Sequence, residues 1–345
     1  MQLGARRVFR LSLTTSVSLA VAYALPLQMP YIAPLFAFML TAAPQPPMGL
    51  KGLVGLLLAV GIMLGSGLVL IPILDHYPAT GLLLALLGLF LANYITLNLG
   101  KAAVGMLLTM GITLISMIGM LSYGLAVMLV QELLICVAIG VLAQWLVYPL
   151  FPEDPGPVTP PPAPPKHAHA RWLAGRATLI VFPVFLLGLT NPTFYAPTIL
   201  KTVALGQQAS EIDARVAGRE LLGSTFLAGV LAILFWFCLK LSPNLWFFFL
   251  WTLAFSTFIV ARLYAVAATR FSPTFWQNVL ITLLILVGPA VADSANGKDV
   301  YKAFFIRMSL YVAVTVYAWL ALVALERWRT RRLHTTIPNV HAEAL

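Results

Sequence analysis

Two basic residues lie within long apolar segments of this sequence, where a charge is costly and therefore indicates a function. Lys201 lies in a segment interrupted by proline, and Arg262 lies eight residues before Arg270 in a later segment. An ammonium group or a planar guanidinium group at such a place can bind the carboxylate of a small organic anion. The alternative is that both side chains reach lipid head groups along their flexible stems. The sequence leaves both readings open.

Glu132 and Arg307 form a second set of charges in apolar segments, and they fall at similar depth in two equivalent segments. Their opposite signs predict an ion pair. The pair would be structural if it only holds two parts of the protein together, since loss of one member strands the other. The pair would instead couple transport to protons if Glu132 takes up a proton and releases Arg307 in each transport cycle. Asp293, near the end of a segment, is expected to be a solvated cap.

Two of the segments begin with a tyrosine followed shortly by proline, as Tyr31-Ile32-Ala33-Pro34 and as Tyr195-Ala196-Pro197. Proline removes an amide donor, so we expect helix breaks at Pro34 and Pro197. Unpaired backbone within a membrane must face protein or a polar cavity, which predicts that Tyr31 and Tyr195 border a substrate site. The alternative is that these prolines only shape tight turns.

The elements that carry these residues must be membrane-spanning helices. The chain is 61% hydrophobic and only 9% charged, which excludes a soluble domain. Its apolar runs are continuous, whereas a barrel strand alternates. The sequence therefore predicts an all-α, polytopic protein with about twelve spans near 9–26, 31–46, 53–74, 79–98, 102–122, 125–149, 172–190, 194–207, 217–239, 245–265, 274–292 and 302–325.

The spans fall into two similar sets of six. Lys51 is followed by Gly55 and Gly61, and Arg219 is followed by glycines at the same spacing. We expect a first six-helix repeat over 1–150, a proline-rich linker over 151–170, a second repeat over 171–330 and a tail over 331–345. A duplicated bundle has a pseudosymmetric seam, where transporters usually bind their substrate.

The net charge of +10 reports topology rather than nucleic-acid binding. With the N-terminus inside, most Lys and Arg residues fall in inner segments, and both termini and the linker are cytoplasmic. A cleaved signal peptide at the N-terminus is the alternative, but its loss would unbalance the two sets of spans.

Several motifs are absent from the sequence. It contains no G-x-x-x-x-G-K-[ST], H-E-x-x-H or G-x-S-x-G pattern, so neither nucleotide hydrolysis nor hydrolase chemistry is indicated. Cys136 and Cys238 lie in apolar helices, and His167 and His169 follow the linker without further ligands. We expect no enzyme activity, no cofactor and no metal site.

The opening of the chain has Arg6-Arg7 before an apolar helix, then Pro30-Tyr31-Ile32-Ala33-Pro34, and then a basic residue before a glycine-bearing third helix. In these features it resembles the fusaric-acid-resistance and aromatic-acid-exporter superfamily. The family's usual Tyr-Trp is Tyr31-Ile32 here, and the large cytoplasmic domain of many relatives is replaced by the linker. The plant aluminium-activated malate channels look like distant members.

The resemblance implies efflux of aromatic acids or related amphipathic compounds, alongside a periplasmic membrane-fusion adaptor in a bacterial inner membrane. Without a nucleotide motif, protons are the expected energy source. The alternatives are a passive anion channel and a non-transporting scaffold for the adaptor. A major-facilitator carrier is disfavoured because Met48-Gly49-Leu50-Lys51 lacks that family's Asp-Arg-rich loop. The expected partners are therefore the lipid bilayer, the adaptor protein and the organic anion. The sequence is also compatible with a homo-oligomer.

Overall fold

The computed structural model describes residues 3–42, 45–99, 102–154, 167–209, 218–297 and 299–336, and all regular structure in these ranges is helical. Before the linker the chain forms α1 (Leu3–Ala24), α2 (Ala33–Ala42), α3 (Leu50–His76), α4 (Pro78–Leu99), α5 (Ala102–Met110), α6 (Ser116–Gly119) and α7 (Tyr123–Val147). A 3₁₀ turn, Pro30–Ile32, leads into α2, and a π-helical segment, Gly111–Ile115, joins α5 to α6.

After the linker, the described residues form six further helices. They are α8 (His167–Thr190), α9 (Pro192–Ala209), α10 (Gly223–Lys240), α11 (Leu245–Leu263), α12 (Pro273–Ala295) and α13 (Val300–Thr336). A second π-helical segment, Gly218–Leu222, leads into α10.

Eight of the described helices are long and apolar enough to cross a membrane, namely α3, α4, α7, α8, α10, α11, α12 and α13. The predicted polytopic helical membrane protein is therefore confirmed. The helices α2 and α5–α6 are apolar but shorter, and α1 and α9 carry more polar residues. Large apolar side chains such as Ile62, Val69 and Phe305 point outwards on the long helices, as expected for a lipid-facing surface.

Helix α1 is unusual because its buried face is polar. Ser12, Thr14, Thr15, Ser16 and Ser18 are all fully buried. Most of these hydroxyls donate to carbonyls of their own helix three or four residues earlier, so burial leaves few of them unpaired. The helix packs against α2, α7 and α11 and is an integral part of the bundle.

The helices before and after the linker have matching neighbours. Helix α1 packs on α11, and α8 packs on α4, so each half places its first helix on the fourth helix of the other half. Within the halves, α2 contacts α7 and α9 contacts α13, while α3 packs on the first π-helical segment and α10 on α12. The backbone approach of α3 to that segment is so close that a Cβ on Gly67 would lie 1.9 Å from the carbonyl oxygen of Gly111.

Several predicted boundaries need correction. Pro34 lies in the first turn of α2, where a backbone amide would have no carbonyl partner within the helix, so the proline breaks no hydrogen bond there. Pro197 lies inside α9, and the helix continues through it without a break. Helix α8 begins at His167, within the range predicted as linker, and α13 runs to Thr336, beyond the predicted end of the second repeat. Residues 155–166 and 337–345 lie outside the described part of the chain.

The start of the linker is tied to the start of α1. Arg10, only 2% exposed, donates to a Glu153 carboxylate oxygen at 2.7 Å, and Arg7 binds the other oxygen. Arg6 forms a two-pronged pair with Asp154 at 2.8 Å. We call the end of the bundle where α1 begins and α7 ends the linker end, and the opposite end the far end.

Glu153 is the centre of this contact. Burial disfavours ionisation of its carboxyl group, but hydrogen bonds and charges from Arg7 and Arg10 outweigh burial and lower its pKa below the ordinary value of 4.5. A carboxyl group with a lowered folded-state pKa stabilises the fold above its unfolded pKa and loses that contribution as the pH falls through the folded pKa.

Glu153→Gln is therefore expected to lower the melting temperature of the detergent-solubilised protein at pH 7, by an amount equivalent to about 2 kcal/mol. The difference between variant and wild type should disappear as the pH is lowered through the folded pKa. Asp154→Asn is the control, because Asp154 is 55% exposed and its loss should matter less. Equal losses in both variants, or a difference that persists in acid, would contradict this role of Glu153.

Candidate functional site

Lys201 lies at the middle of α9 and is completely buried. Its Nζ donates to Oδ1 of Asn278 at 2.8 Å and to Oγ1 of Thr282 at 2.7 Å, both on α12. The side chain does not extend to the surface of the bundle, so the head-group alternative for Lys201 is wrong. In the described part of the chain no carboxylate lies within salt-bridge distance of its ammonium group.

The polar contacts continue from Lys201 towards the linker end. The amide nitrogen of Asn278 donates to the hydroxyl of Ser224, which in turn donates to the backbone carbonyl of Glu220. The Glu220 carboxylate, in the second π-helical segment, accepts a hydrogen bond from Ser272. A π-helical turn inside a helix often accompanies a functional site, because it displaces side chains from the regular ladder.

Lys201, Asn278, Thr282, Ser224 and Glu220, together called the Lys201 cluster, lie against the first half of the chain. Helix α9 packs on α5 and on the π-helical segment Gly111–Ile115, as well as on α8, α12 and α13. A buried cation held only by neutral oxygens keeps an unbalanced charge, and an anion is the ligand that would balance it.

Arg262 does not join this cluster. It lies in the last turn of α11, donates to the carbonyl of Phe258 at 2.9 Å and stacks 3.7 Å from the centre of the Phe258 ring. Its guanidinium also lies 5.4 Å from the ring of Trp276. A guanidinium held on aromatic rings at a helix end is typical of a membrane–water interface.

Tyr31 is buried at the contact between the two halves. Gly288 on α12 makes room for it, since a Cβ on that glycine would lie 2.1 Å from Cβ of Tyr31. Next to it, the hydroxyl of Tyr23 donates to the Gly288 carbonyl at 3.0 Å. Tyr195 is placed differently, because it is only half-buried at the start of α9 and packs edge-on against Phe194.

The predicted pair of Glu132 and Arg307 is wrong. Arg307 binds Asp293, which lies near the end of the preceding helix and is itself only 6% exposed. The expectation of a solvated Asp293 cap is wrong for the same reason: the turn between α12 and α13 brings this carboxylate within reach of the guanidinium. Glu132 instead accepts a hydrogen bond from the backbone amide of Gln28 at 2.8 Å.

Glu132, Asp293 and Arg307 nevertheless lie near the same group, the side chain of Tyr31. All three charges are close enough to act electrostatically on the hydroxyl of Tyr31. Within the described residues, Oε2 of Glu132 and Nη1 of Arg307 are buried without a hydrogen-bond partner. The structure thus assembles a polar seam, here defined as Tyr31, Glu132, Asp293 and Arg307, from both halves of the chain.

Sequence reasoning missed two tyrosines whose hydroxyls donate to backbone carbonyls left without an amide donor by a proline. Pro183 in α8 and Pro289 in α12 cannot donate to the carbonyls of the residues four positions earlier. The Leu179 carbonyl accepts from Tyr317 at 2.6 Å, and the Ile285 carbonyl from Tyr311 at 3.5 Å. The signal was present, because a proline inside a membrane helix requires a donor from a neighbouring helix.

Comparison with known proteins covers only the first half. Residues 7–147 match a family described as "Protein of unknown function (DUF2955)", so this part of the chain is similar to that family. The matched range begins in α1 and ends with the last residue of α7. No curated protein and no solved structure matches the chain.

Arg307→Met alone should destabilise the protein by about 3–5 kcal/mol, because it removes the cation that pairs with the buried Asp293 carboxylate. The double variant Asp293→Asn with Arg307→Met should recover much of that loss in melting temperature and in yield of folded protein. A parallel cycle of Glu132→Gln with Arg307→Met is the control, and its effects should add to within about 0.5 kcal/mol. Strong coupling in the Glu132 cycle and none in the Asp293 cycle would reverse the assignment.

Proposed function

We propose that this protein is an efflux transporter of a bacterial inner membrane that exports small organic anions or amphipathic aromatic compounds. The observation that carries the proposal is the fully buried Lys201, whose ammonium group has, among the described residues, only the neutral oxygens of Asn278 and Thr282 as hydrogen-bond partners. Structural charges in membranes are normally neutralised by a partner, as Asp293 neutralises Arg307. The unbalanced charge of Lys201 is better explained by a ligand of opposite charge than by a structural role.

We further propose twelve spans in two parallel six-helix repeats. The reciprocal packing of α1 on α11 and of α8 on α4 supports this reading, and so does a family match that ends where α7 ends. In this reading α1 and α9 cross the membrane inside the bundle, shielded by their neighbours, which explains why they are more polar than the outer helices. The two repeats would meet at α9 and at the polar seam.

The linker end is proposed to face the cytoplasm. The basic side chains Arg6, Arg7, Arg10, Arg171, Arg176, Arg270, Arg327, Arg329 and Arg331 belong to segments at that end. The end of α13 and the start of α8 lie together, since Arg176 pairs with Glu326 at 3.6 Å and Trp172 stacks on Trp328. Under the positive-inside rule this arrangement puts both termini in the cytoplasm.

Reporter tags inserted near Pro160 and attached after Leu345 should both report a cytoplasmic location, whereas a tag between Ser242 and Asn244 should report the opposite side. The measurement is labelling by a membrane-impermeant reagent in intact cells and in opened cells. A linker and C-terminus on opposite sides would require an odd number of spans after the linker and would exclude the duplicated bundle.

The proposed cycle exposes Lys201 by relative movement of the two halves. The enclosed lysine represents an occluded arrangement, and α9 is well placed to open because it packs on the first half through α5. Proton coupling is proposed to use Glu132, whose Oε2 is buried and unpaired within the described residues. A carboxylate so placed can bind a proton without first losing a cation partner.

The remaining parts of the proposal come from the resemblance to the aromatic-acid exporters. A periplasmic adaptor protein would continue the export path beyond the far end of the bundle. Tyr31, Tyr195 and Arg262 would contribute to substrate contact during opening, with Tyr31 the best placed of the three because it lies between the halves.

Lys201→Met tests the proposal, since it keeps the bulk of the stem and removes only the charge. In proteoliposomes with an imposed pH gradient, transport of naphthalene-1-sulfonate, whose permanent charge keeps it from crossing lipid unaided, should fall at least about tenfold. Transport of a neutral aromatic alcohol should change much less. Lys51→Met is the matched control, because Lys51 is exposed at the start of α3.

Three results would go against the proposal. Wild-type sulfonate transport by Lys201→Met would remove the lysine from the substrate path. Sulfonate flux of equal rate with and without a pH gradient, observed as a current, would indicate a passive anion channel. A wild-type protein that transports neither compound but retains the adaptor on an affinity column would indicate a scaffold.

A further inference from the structure

A groove between α10 and α13 opens at the far end of the bundle. Its inner part is a cavity of about 330 Å³ with an almost wholly apolar lining that includes Ile233, Phe237, Tyr301, Phe305 and Met308. A larger cavity of about 510 Å³ adjoins it, and both cavities are bordered by Trp236. We call the two cavities together the far-end groove.

The apolar part of the groove runs along the helices. Lys240 and Tyr301 lie at the far end of α10 and α13, whereas Ile233 and Met308 lie seven residues deeper in each helix. Seven residues of helix span about 10 Å, so the groove descends from the membrane surface into the hydrocarbon region. Its walls also face outwards, since Phe305 is 73% and Phe237 is 55% exposed.

The mouth of the groove is polar and carries a cation. Lys240 borders the larger cavity together with Asn244 and Ser294, and its ammonium group donates to the hydroxyl of Tyr301 at 2.5 Å. The same ammonium lies 4.7 Å from the centre of the Tyr301 ring. The neighbouring carboxylate of Asp299 is engaged by the amides of Tyr301 and Lys302 at the start of α13. The mouth thus offers a positive charge and hydrogen-bonding groups directly above an apolar slot.

We propose that the far-end groove binds one anionic phospholipid of the surrounding leaflet. The head-group phosphate would lie in the larger cavity beside Lys240, and one acyl chain would follow Phe237 and Phe305 into the membrane. A lipid fits this shape better than a dissolved compound does, because the slot opens sideways to the hydrocarbon region and runs in the direction of lipid chains. This binding site is independent of the proposed transport function and requires only that the helices span a membrane.

The test counts phospholipids that remain bound to the purified full-length protein, by native mass spectrometry after release from nanodiscs of equal parts phosphatidylcholine and phosphatidylglycerol. Wild type should retain phosphatidylglycerol in preference to phosphatidylcholine. Lys240→Gln should lower phosphatidylglycerol retention about fivefold, while Lys240→Arg should preserve it. Lys302→Gln is the matched control, because it removes an exposed lysine at the same membrane level that does not border the groove. Phe305→Ser should weaken retention of both lipids.

Three results would overturn the proposal, and one would support it. Retention of the two lipids in equal amounts by wild type, or equal losses in the Lys240→Gln and Lys302→Gln variants, would overturn the proposal by showing only general surface attraction. Failure of wild type to retain either lipid, together with binding of naphthalene-1-sulfonate that Lys240→Gln abolishes, would also overturn it, since the groove would then be a site for a dissolved anion. Selective loss in Lys240→Gln, with rescue by Lys240→Arg, would support it even if the protein transports nothing.

Discussion

The lack of water in the bilayer interior is the constraint on which the rest of this structure depends, because every buried polar group must find its partner within the protein. Helix α1 meets the constraint locally, with serine and threonine hydroxyls bonded to its own carbonyls. The proline-containing helices meet it through their neighbours, with Tyr311 and Tyr317 on α13 donating to carbonyls that lack their usual amide. Helix α13 is therefore a structural support for both α8 and α12.

The same constraint distinguishes structural from functional charges. Arg307 and Asp293 neutralise each other across a single turn, and Arg7 and Arg10 neutralise Glu153 where the linker begins. Within the described part of the chain, Lys201 is held by neutral oxygens alone, and one oxygen of Glu132 has no partner. Glu220 is a third buried charge, since its carboxylate accepts from Ser272 and no cation pairs with it among the described residues. Charges left without a partner of opposite sign are the places where a ligand or a proton is expected to act.

The positions of the helices could be predicted from the sequence, but the effect of proline and the pairing of charges could not. Most predicted spans agree with observed helices to within a few residues, because a long apolar run has few alternatives to a helix in a membrane. Proline was the weak point. Pro197 was expected to break α9, but one missing hydrogen bond does not end a helix whose other contacts are intact. The pairing of Glu132 with Arg307 also failed, since equivalent depth in two helices does not establish contact.

The sequence by itself determined that this is a polytopic helical membrane protein and which residues in its apolar segments carry charge, because these properties follow from hydropathy along the chain. Only the tertiary structure decided which partner each charge has. Asn278 and Thr282 reach Lys201 from 77 and 81 residues away. Such a contact depends on how helices rotate and pack against one another, and side-chain fit between distant segments leaves no periodic signal in a single sequence.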